Sequence, residues 1–370
     1  MVDQALADAG LCFSSDNDPG IRRKRSGRGF SYVDENGVRI EDESVLQRIR
    51  SLAIPPAYKE VWICTKPNGH LQATGIDARG RKQYRYHPDW RAVRDADKFA
   101  RLCDFGRALT RIRKRVSADL KLPGLARDRV IATVVRLLDR TSIRIGNEQY
   151  ARENKSYGLT TLRTRHVRLR GNLIQFEFRG KSGVLHSISV TDPLAAEVVR
   201  GCLDLPGQEL FQYLDDTGAR RTVTSSDVNA YLCAAGGQDF SAKDFRTWYA
   251  TMDALEMLSA LQFETQREAK AHIKESLHRI AQRLGNTPTM CRKAYVHPGV
   301  LQAFMEGRLS SVVRAGRRNK REQLLQLLQD LSRGASRLAK QPKKTRSSAR
   351  PAVPKARAFN LSQVKEQIWL

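Results

Sequence analysis

The hydrophobic pattern of this 370-residue chain changes period near residue 95, and that change divides what the chain can fold into. Before it, Phe30-Ser31-Tyr32-Val33 and Val38-Arg39-Ile40 flank Asn36-Gly37, and Val61-Trp62-Ile63-Cys64 and Leu71-Gln72-Ala73-Thr74 flank Asn68-Gly69. Asn-Gly supplies the two left-handed positions of a type I′ turn, so each pattern predicts a β-hairpin. After it, Val130, Ile131, Val134, Val135 and Leu138 form one helical face within 128–143. Residues 252–284 also read as helical, with Ile273, Leu277, Ile280, Ala281 and Leu284 on one stripe and Gly285 as the stop. One β element lies between: Ile174, Phe176 and Phe178 alternate with polar residues, 179–183 turns the chain, and Val184, His186 and Ile188 alternate back. The fold class is therefore α+β, a small β-rich N-terminal domain followed by a mostly α-helical one.

The expected layout is a flexible leader over 1–20, the β-rich domain over 21–94, the helical domain over 95–310 and a basic extension over 311–370. The extension holds 15 Lys+Arg and 3 Asp+Glu, so it supplies +12 of the formal net charge of +26. A short amphipathic helix (Leu324, Leu325, Leu327, Leu328, Leu331) is followed at 339–358 by a Lys/Pro/Ser/Arg stretch that cannot pack a core. The whole extension is expected to add non-specific DNA binding, so that deleting 311–370 weakens binding and spares chemistry. A solvated solubility tail is the alternative.

A charge this positive predicts a polyanionic partner. Six cysteines form no C-x-x-C pair and no zinc-finger spacing, which fits reduced thiols. No signal-peptide h-region or membrane span is legible, so a cytoplasmic, chromosome-associated location is expected. Gly180-Lys181-Ser182 ends like a phosphate-binding loop, but position 175 is Gln rather than Gly and the turn joins two strands. No H-E-x-x-H, G-x-S-x-G or acidic metal cluster occurs, so no metal site, nucleotide site or cofactor is expected. Phosphate chemistry would then rest its positive charge on Arg and Lys.

Three basic residues occupy unusual positions. Arg144 is bracketed by Ile143 and Ile145 just before Gly146-Asn147, Arg246 lies between Phe245 and Thr247-Trp248, and Lys181 sits on the tight hairpin. Tyr295 would sit two turns into a short helix that Thr287 caps and Pro288 opens, just past Arg292 and Lys293. Taken singly, each is more often a salt-bridged surface residue or a packing tyrosine.

Together, and in this order, Ile143-Arg144-Ile145-Gly146-Asn147, Tyr157-Gly158-Leu159-Thr160-Thr161-Leu162, Phe178-Arg179-Gly180-Lys181, Asp244-Phe245-Arg246-Thr247 and the run from Gly285-Asn286-Thr287-Pro288 to Lys293-Ala294-Tyr295 resemble the type IB topoisomerase family, in its compact poxvirus and bacterial branch. The resemblance covers about 20–310. It implies a tyrosine-recombinase/topoisomerase IB-like catalytic domain that relaxes supercoiled duplex DNA without ATP or metal. By the same resemblance Tyr295 becomes a 3′-phosphotyrosyl link, Arg144 and Arg246 hold the non-bridging oxygens, and Lys181 protonates the departing 5′-oxygen. Many members have His where this chain has Asn286, which can donate a hydrogen bond but carries no charge. No ionisation of residue 286 is therefore expected in the pH–rate profile.

The segment from Gly75 to Tyr86 resembles the family's DNA-contact strand. Gln83 can pair bidentately with adenine, Tyr84 and Tyr86 offer phenols and rings, and Arg81, Lys82 and Arg85 would meet phosphates. Tyr150 and Tyr157 are further candidates for backbone contact. A monomer closing as a two-domain clamp on DNA is the expected assembly. The runner-up enzyme is a tyrosine recombinase, against which stand Lys243 in place of a His three residues before Arg246 and the hairpins of the first domain. A basic DNA- or RNA-binding protein without chemistry is the non-enzymatic alternative.

Overall fold

The structure is a computed structural model that describes residues 6–78, 80–309 and 319–339, without the side chains of 91–98, 100 and 332–339. The described residues up to Asp330 belong to one compact unit, and a second begins at Leu331. No helix among them is long and apolar enough to cross a membrane.

The first domain is a five-stranded antiparallel sheet in the order β2-β1-β3-β4-β5, formed by Gly20–Ser26, Gly29–Val33, Lys59–Cys64, Leu71–Ile76 and Lys82–Tyr86. The second predicted hairpin pairs as expected, Trp62 opposite Thr74 and Ile63 opposite Ala73. The first does not. Val33 pairs with Arg39 by a single bridge, and the strand pairs instead with 20–26 through a turn at Gly27. The basic run at 21–25 is thus a β-strand. Its Arg23 is tied to the carbonyls of Pro55 and Tyr58, a contact with distant backbone that local pattern does not reveal.

One sheet face packs helix α1 (Glu43–Ser51), burying Ile21, Ile49, Val61, Ile63 and Ala73. The leader, expected to be flexible, covers the other face over 11–18. The Ser14 hydroxyl donates to the Leu71 carbonyl and accepts from the Leu71 amide, both at 3.0 Å. Trp62 Nε1 donates to the Asp18 carbonyl, and Thr74 donates to Asp16. Leu6 and Leu11 pack on Trp90.

Helix α2 (Pro88–Asp119) starts before the expected boundary at 95 and is the longest element of the helical part. Helix α3 (Arg127–Thr141) matches the predicted 128–143, but it is buried on nearly every side rather than on one face. Even Arg129 is enclosed, donating to the Leu120 and Gly124 carbonyls and to Glu197. A second sheet, β6-β7-β8 (Val167–Arg170, Leu173–Arg179, Leu185–Thr191), contains the predicted alternation, with Ile174, Phe176 and Phe178 inside.

Short helix α4 (Glu148–Asn154) precedes that sheet, and α5 (Pro193–Asp204), the strand pair β9-β10 (Gln212–Leu214, Arg220–Thr222) and α6 (Ser225–Gly236) follow it. The predicted helical stretch 252–284 is two helices, α7 (Ala242–Ser259) and α8 (Gln266–Leu284). Thr265 and Glu268 form a capping box that starts the second, so local side chain–backbone bonds break a run whose apolar content continues. Gly285 ends it at φ +58° as expected. Helices α9 (Pro288–Ala294) and α10 (Pro298–Met305) follow.

Helix α11 (Lys320–Ala339) is the predicted amphipathic helix, and its Leu324, Leu327 and Leu328 are buried. Arg321 Nε donates to the Gly106 carbonyl at 3.0 Å. The first turns of the expected appendage therefore belong to the packed unit, and a deletion from 311 would strip core side chains. The Lys/Pro/Ser/Arg stretch lies outside the described residues from 340 onward.

Candidate active site

Arg144 is delivered by the end of α3. Ser142 takes the left-handed conformation (φ 55°), turning the chain off the helix into an extended segment. That segment is fastened to 158–160 by Leu159 N–H to Arg144 O (2.9 Å) and Thr160 N–H to Ile145 O (2.7 Å). A Cβ on Gly158 would lie 2.5 Å from Arg144 O and Gly146 N, so only glycine allows this approach. Two of the sequence motifs are thereby explained as partners in one backbone contact.

Arg246 is 4% exposed, on α7 between the fully buried Phe245 and Trp248. Phe105 of α2 packs edge-on against Phe245 at 5.0 Å between ring centroids and holds that helix in place. The Arg246 guanidinium donates to the Ser142 carbonyl and to the Leu284 carbonyl (2.8 Å), bridging the ends of α3 and α8. It also stands 5.2 Å from the centroid of the Tyr295 ring.

Tyr295 is the C-cap of α9, after a start at Thr287 and Pro288 that the sequence predicted. Thr251 fixes its backbone, donating to the Tyr295 carbonyl at 3.1 Å. Burial pushes the phenol pKa up, but the charge and hydrogen bond of Arg246, with the charges of Arg144 and Lys243, outweigh burial and leave it below its ordinary value. Burial, and then repulsion by Arg246, bring Arg144 down to about 10. Burial likewise lowers Arg246. Two cations share one desolvated pocket, an arrangement that a polyanion would relieve.

Asn286 joins this cluster. Its Oδ1 accepts from Arg144, which also donates to the Gly285 carbonyl at 3.1 Å. Its Nδ2 is buried without a hydrogen-bond partner, as is Arg246 Nε. Two buried donors with unmet capacity in a cluster with two arginines are a physical basis for holding anionic oxygens.

Lys181 sits on the hairpin turn, where Ser182 and Gly183 take left-handed conformations (φ 64° and 78°). Its side chain is exposed, and it makes no hydrogen bond or ion pair among the described residues. It stands beside the cluster of Arg144, Arg246, Asn286 and Tyr295 rather than within it. The link is His186, whose ring stacks on Phe178 (5.0 Å, 17°) and fills the space against two glycines. A Cβ on Gly180 would lie 2.6 Å from that ring, and one on Gly285 would lie 2.5 Å from it. Burial, then the charges of Arg144 and Arg246, lower the His186 pKa, so the ring is neutral at neutral pH.

His186 and Lys243 are site neighbours that the sequence reading passed over. His186 was visible only as an inward position of a strand. Lys243 had a signal, its position three residues before Arg246 on one helix face. Gly285→Ala is expected to combine left-handed strain of about 1–2 kcal/mol with a clash on His186 of about 1–3 kcal/mol. A melting temperature lowered by several degrees and lost cleavage would agree, and an unchanged melting curve would not.

The predicted DNA-contact strand divides between two faces. Lys82, Tyr84 and Tyr86 are exposed on one, while Gln83 and Arg85 are half-buried on the other. Arg81 forms a two-nitrogen contact with Asp77 (2.9 and 2.6 Å), and Gln83 donates to the same carboxylate at 3.0 Å. Lys82 pairs with Asp16 at 2.5 Å, and Arg85 donates to the Ala53 carbonyl. Tyr150 is 44% exposed on α4, close enough to Arg81 to couple to its charge. Tyr157 is a correction: it is 7% exposed, packed at 4.4 Å against His166, and its amide donates to the Arg179 carbonyl. A tyrosine held this way is part of the core and is withdrawn from the contact set.

Residues 87–322 match the family described as the catalytic core of eukaryotic DNA topoisomerase I, and 29–77 match the N-terminal domain of bacterial DNA topoisomerase IB. The chain is 33% identical over 297 residues to DNA topoisomerase 1B of Acanthamoeba polyphaga mimivirus, spanning 77% of this chain and 87% of that protein. It is 22% identical over 269 residues to DNA topoisomerase 1B of vaccinia virus (strain Copenhagen), spanning 69% and 79%.

Proposed function

Because the chain belongs to the type IB DNA topoisomerase family, we propose that it relaxes supercoiled duplex DNA by transient cleavage of one strand, with Tyr295 as nucleophile. The observation that carries this reading is geometric: the Tyr295 ring stands 5.2 Å from the Arg246 guanidinium, at a buried cluster that also holds Arg144 and Asn286, and the neighbouring charges lower the phenol pKa. A lowered phenol pKa raises the fraction of attacking phenolate at neutral pH.

The steps give these groups the roles that the family resemblance implies. The phenol oxygen attacks phosphorus and its proton goes to solvent. The bond from phosphorus to the 5′-oxygen breaks, and that oxygen takes a proton from Lys181. Arg144 and Arg246 carry the charge that develops on the non-bridging oxygens, and Asn286 donates a neutral hydrogen bond. One phosphoester replaces another, so the 5′-hydroxyl can attack in reverse after the DNA rotates, returning its proton to Lys181. This exchange conserves bond energy and needs no ATP, and the two arginines supply the charge that a metal would otherwise bring. The proposed working form is a monomer acting on the chromosome, with the β-rich and helical domains closing around the duplex.

Supercoiled plasmid incubated in EDTA without ATP is expected to yield a ladder of relaxed topoisomers. Exchange between two specific sites with little relaxation would support the recombinase instead. Lys181→Ala is expected to slow cleavage by about 10²–10⁴-fold. A bridging 5′-sulfur should restore most of that loss, because a thiolate leaves without a proton. Failure of the sulfur substrate to restore the rate would remove Lys181 from the acid role.

A further inference from the structure

The leader adds a feature that the proposed chemistry leaves unused. Phe13 is 61% exposed although the residues around it are fastened down. Its neighbour Cys12 donates its amide to the Asn68 carbonyl, and Ser14 accepts and donates on Leu71. Phe13 stacks on His70, with ring centroids 5.0 Å apart and planes at 26°. His70 is itself nearly buried, held by the Ser14 amide on Nδ1 and set edge-on against Trp90. The His70 ring also lies 6.1 Å from that of Tyr86, which stacks on Tyr84 at 6.2 Å and 12°.

Four rings therefore run in sequence from the leader to the edge strand β5, and three of them are exposed. Phe13, Tyr86 and Tyr84 show 61%, 37% and 47% of their surface, an unusual display of aromatic area on one small domain. Lys82 closes the row, its ammonium 5.8 Å from the Tyr84 ring. That ammonium is paired with Asp16 of the leader, a partner that a phosphate could replace.

We propose that the leader extends the DNA-contact surface of β5, with Phe13 packing against the sugar–phosphate backbone of the bound duplex beyond the part reached by Tyr84 and Tyr86. The inference rests on the reading of the protein as a DNA topoisomerase. Charge favours DNA as occupant, since the row ends on a lysine in a chain of formal net charge +26. Continuity favours it too, because Phe13 prolongs a row whose other end is the strand expected to lie on DNA. Phe13 stacks on His70 and Tyr84 on Tyr86, while His70 and Tyr86 meet at a tilt of 38°.

The test uses full-length protein carrying Tyr295→Phe, so that binding is measured without cleavage, on a 30-base-pair duplex by fluorescence anisotropy across a salt series. Adding Phe13→Ala is expected to weaken binding by about 3- to 10-fold at every salt concentration, with an unchanged slope of log K on log salt, because the lost contact is apolar. Phe13→Tyr should restore the affinity, which a general loss of folding would not allow. A photoreactive benzophenone at position 13 should crosslink to the duplex. Affinity unchanged by Phe13→Ala, or no crosslink from position 13, would overturn the proposal. A failure of the topoisomerase reading appears separately, as wild-type protein that forms no covalent adduct with DNA whatever residue 13 is.

Discussion

Tyr295→Phe is expected to lower strand cleavage by at least about 10⁴-fold while leaving duplex affinity within about threefold. The substitution removes one oxygen and keeps the ring. The contact at 5.2 Å between that ring and the Arg246 guanidinium survives, as does the hydrogen bond from Thr251 to the backbone of residue 295. Both arginines stay in place to bind phosphate. Loss of affinity in parallel with loss of cleavage would mean that the phenol is a binding group rather than the nucleophile. Retained cleavage would mean that another residue attacks.

Arg246→Ala is the second large effect, and its interest lies in the contrast between rate and stability. Cleavage is expected to fall by about 10³-fold or more, since a charged donor to the transition state is lost and the phenol loses the neighbour that most lowers its pKa. The melting temperature should nevertheless move by no more than about 3 °C. Two helix-end carbonyls lose their donors, at a cost of about 1–3 kcal/mol each. Against this, the desolvation of a buried guanidinium and its repulsion of Arg144 are relieved, which acts in the opposite direction. The active site is thus held in an electrostatically unfavourable state that bound phosphate relieves. A melting temperature lowered by ten degrees would show that Arg246 is chiefly a structural tie.

The helix ends that carry the candidate residues were legible because local features build them. Thr287-Pro288 starts α9 and Gly285 stops α8 by rules that involve a few neighbouring residues. Arg246 was conspicuous because its neighbours are Phe245 and Trp248, which the fold buries completely. What escaped was non-local. His186 occupies an ordinary inward strand position, and only the packing of 180 and 285 around it places it at the site. Tyr157 is packed on His166, and the Gly158 that follows it serves the backbone contact with Arg144. The leader carries no periodicity at all, because Ser14, Asp16 and Asp18 hold it through single hydrogen bonds to residues more than 40 positions away. The five strands were half legible: Asn68-Gly69 marked a true connection, while the charge of 22–25 concealed the strand that pairs with both β2 and β3.

The central claim is a covalent bond between one tyrosine and the 3′ end of a cleaved strand. Its most direct test is to trap wild-type protein on a duplex whose cleaved strand loses a short 5′-hydroxyl fragment, digest with trypsin, and sequence the DNA-linked peptide by mass spectrometry. The account predicts an oligonucleotide joined through its 3′-phosphate to the peptide 294–308, in which Tyr295 is the only tyrosine. Attachment through a 5′-phosphate, attachment to any other peptide, or the absence of an adduct would contradict it.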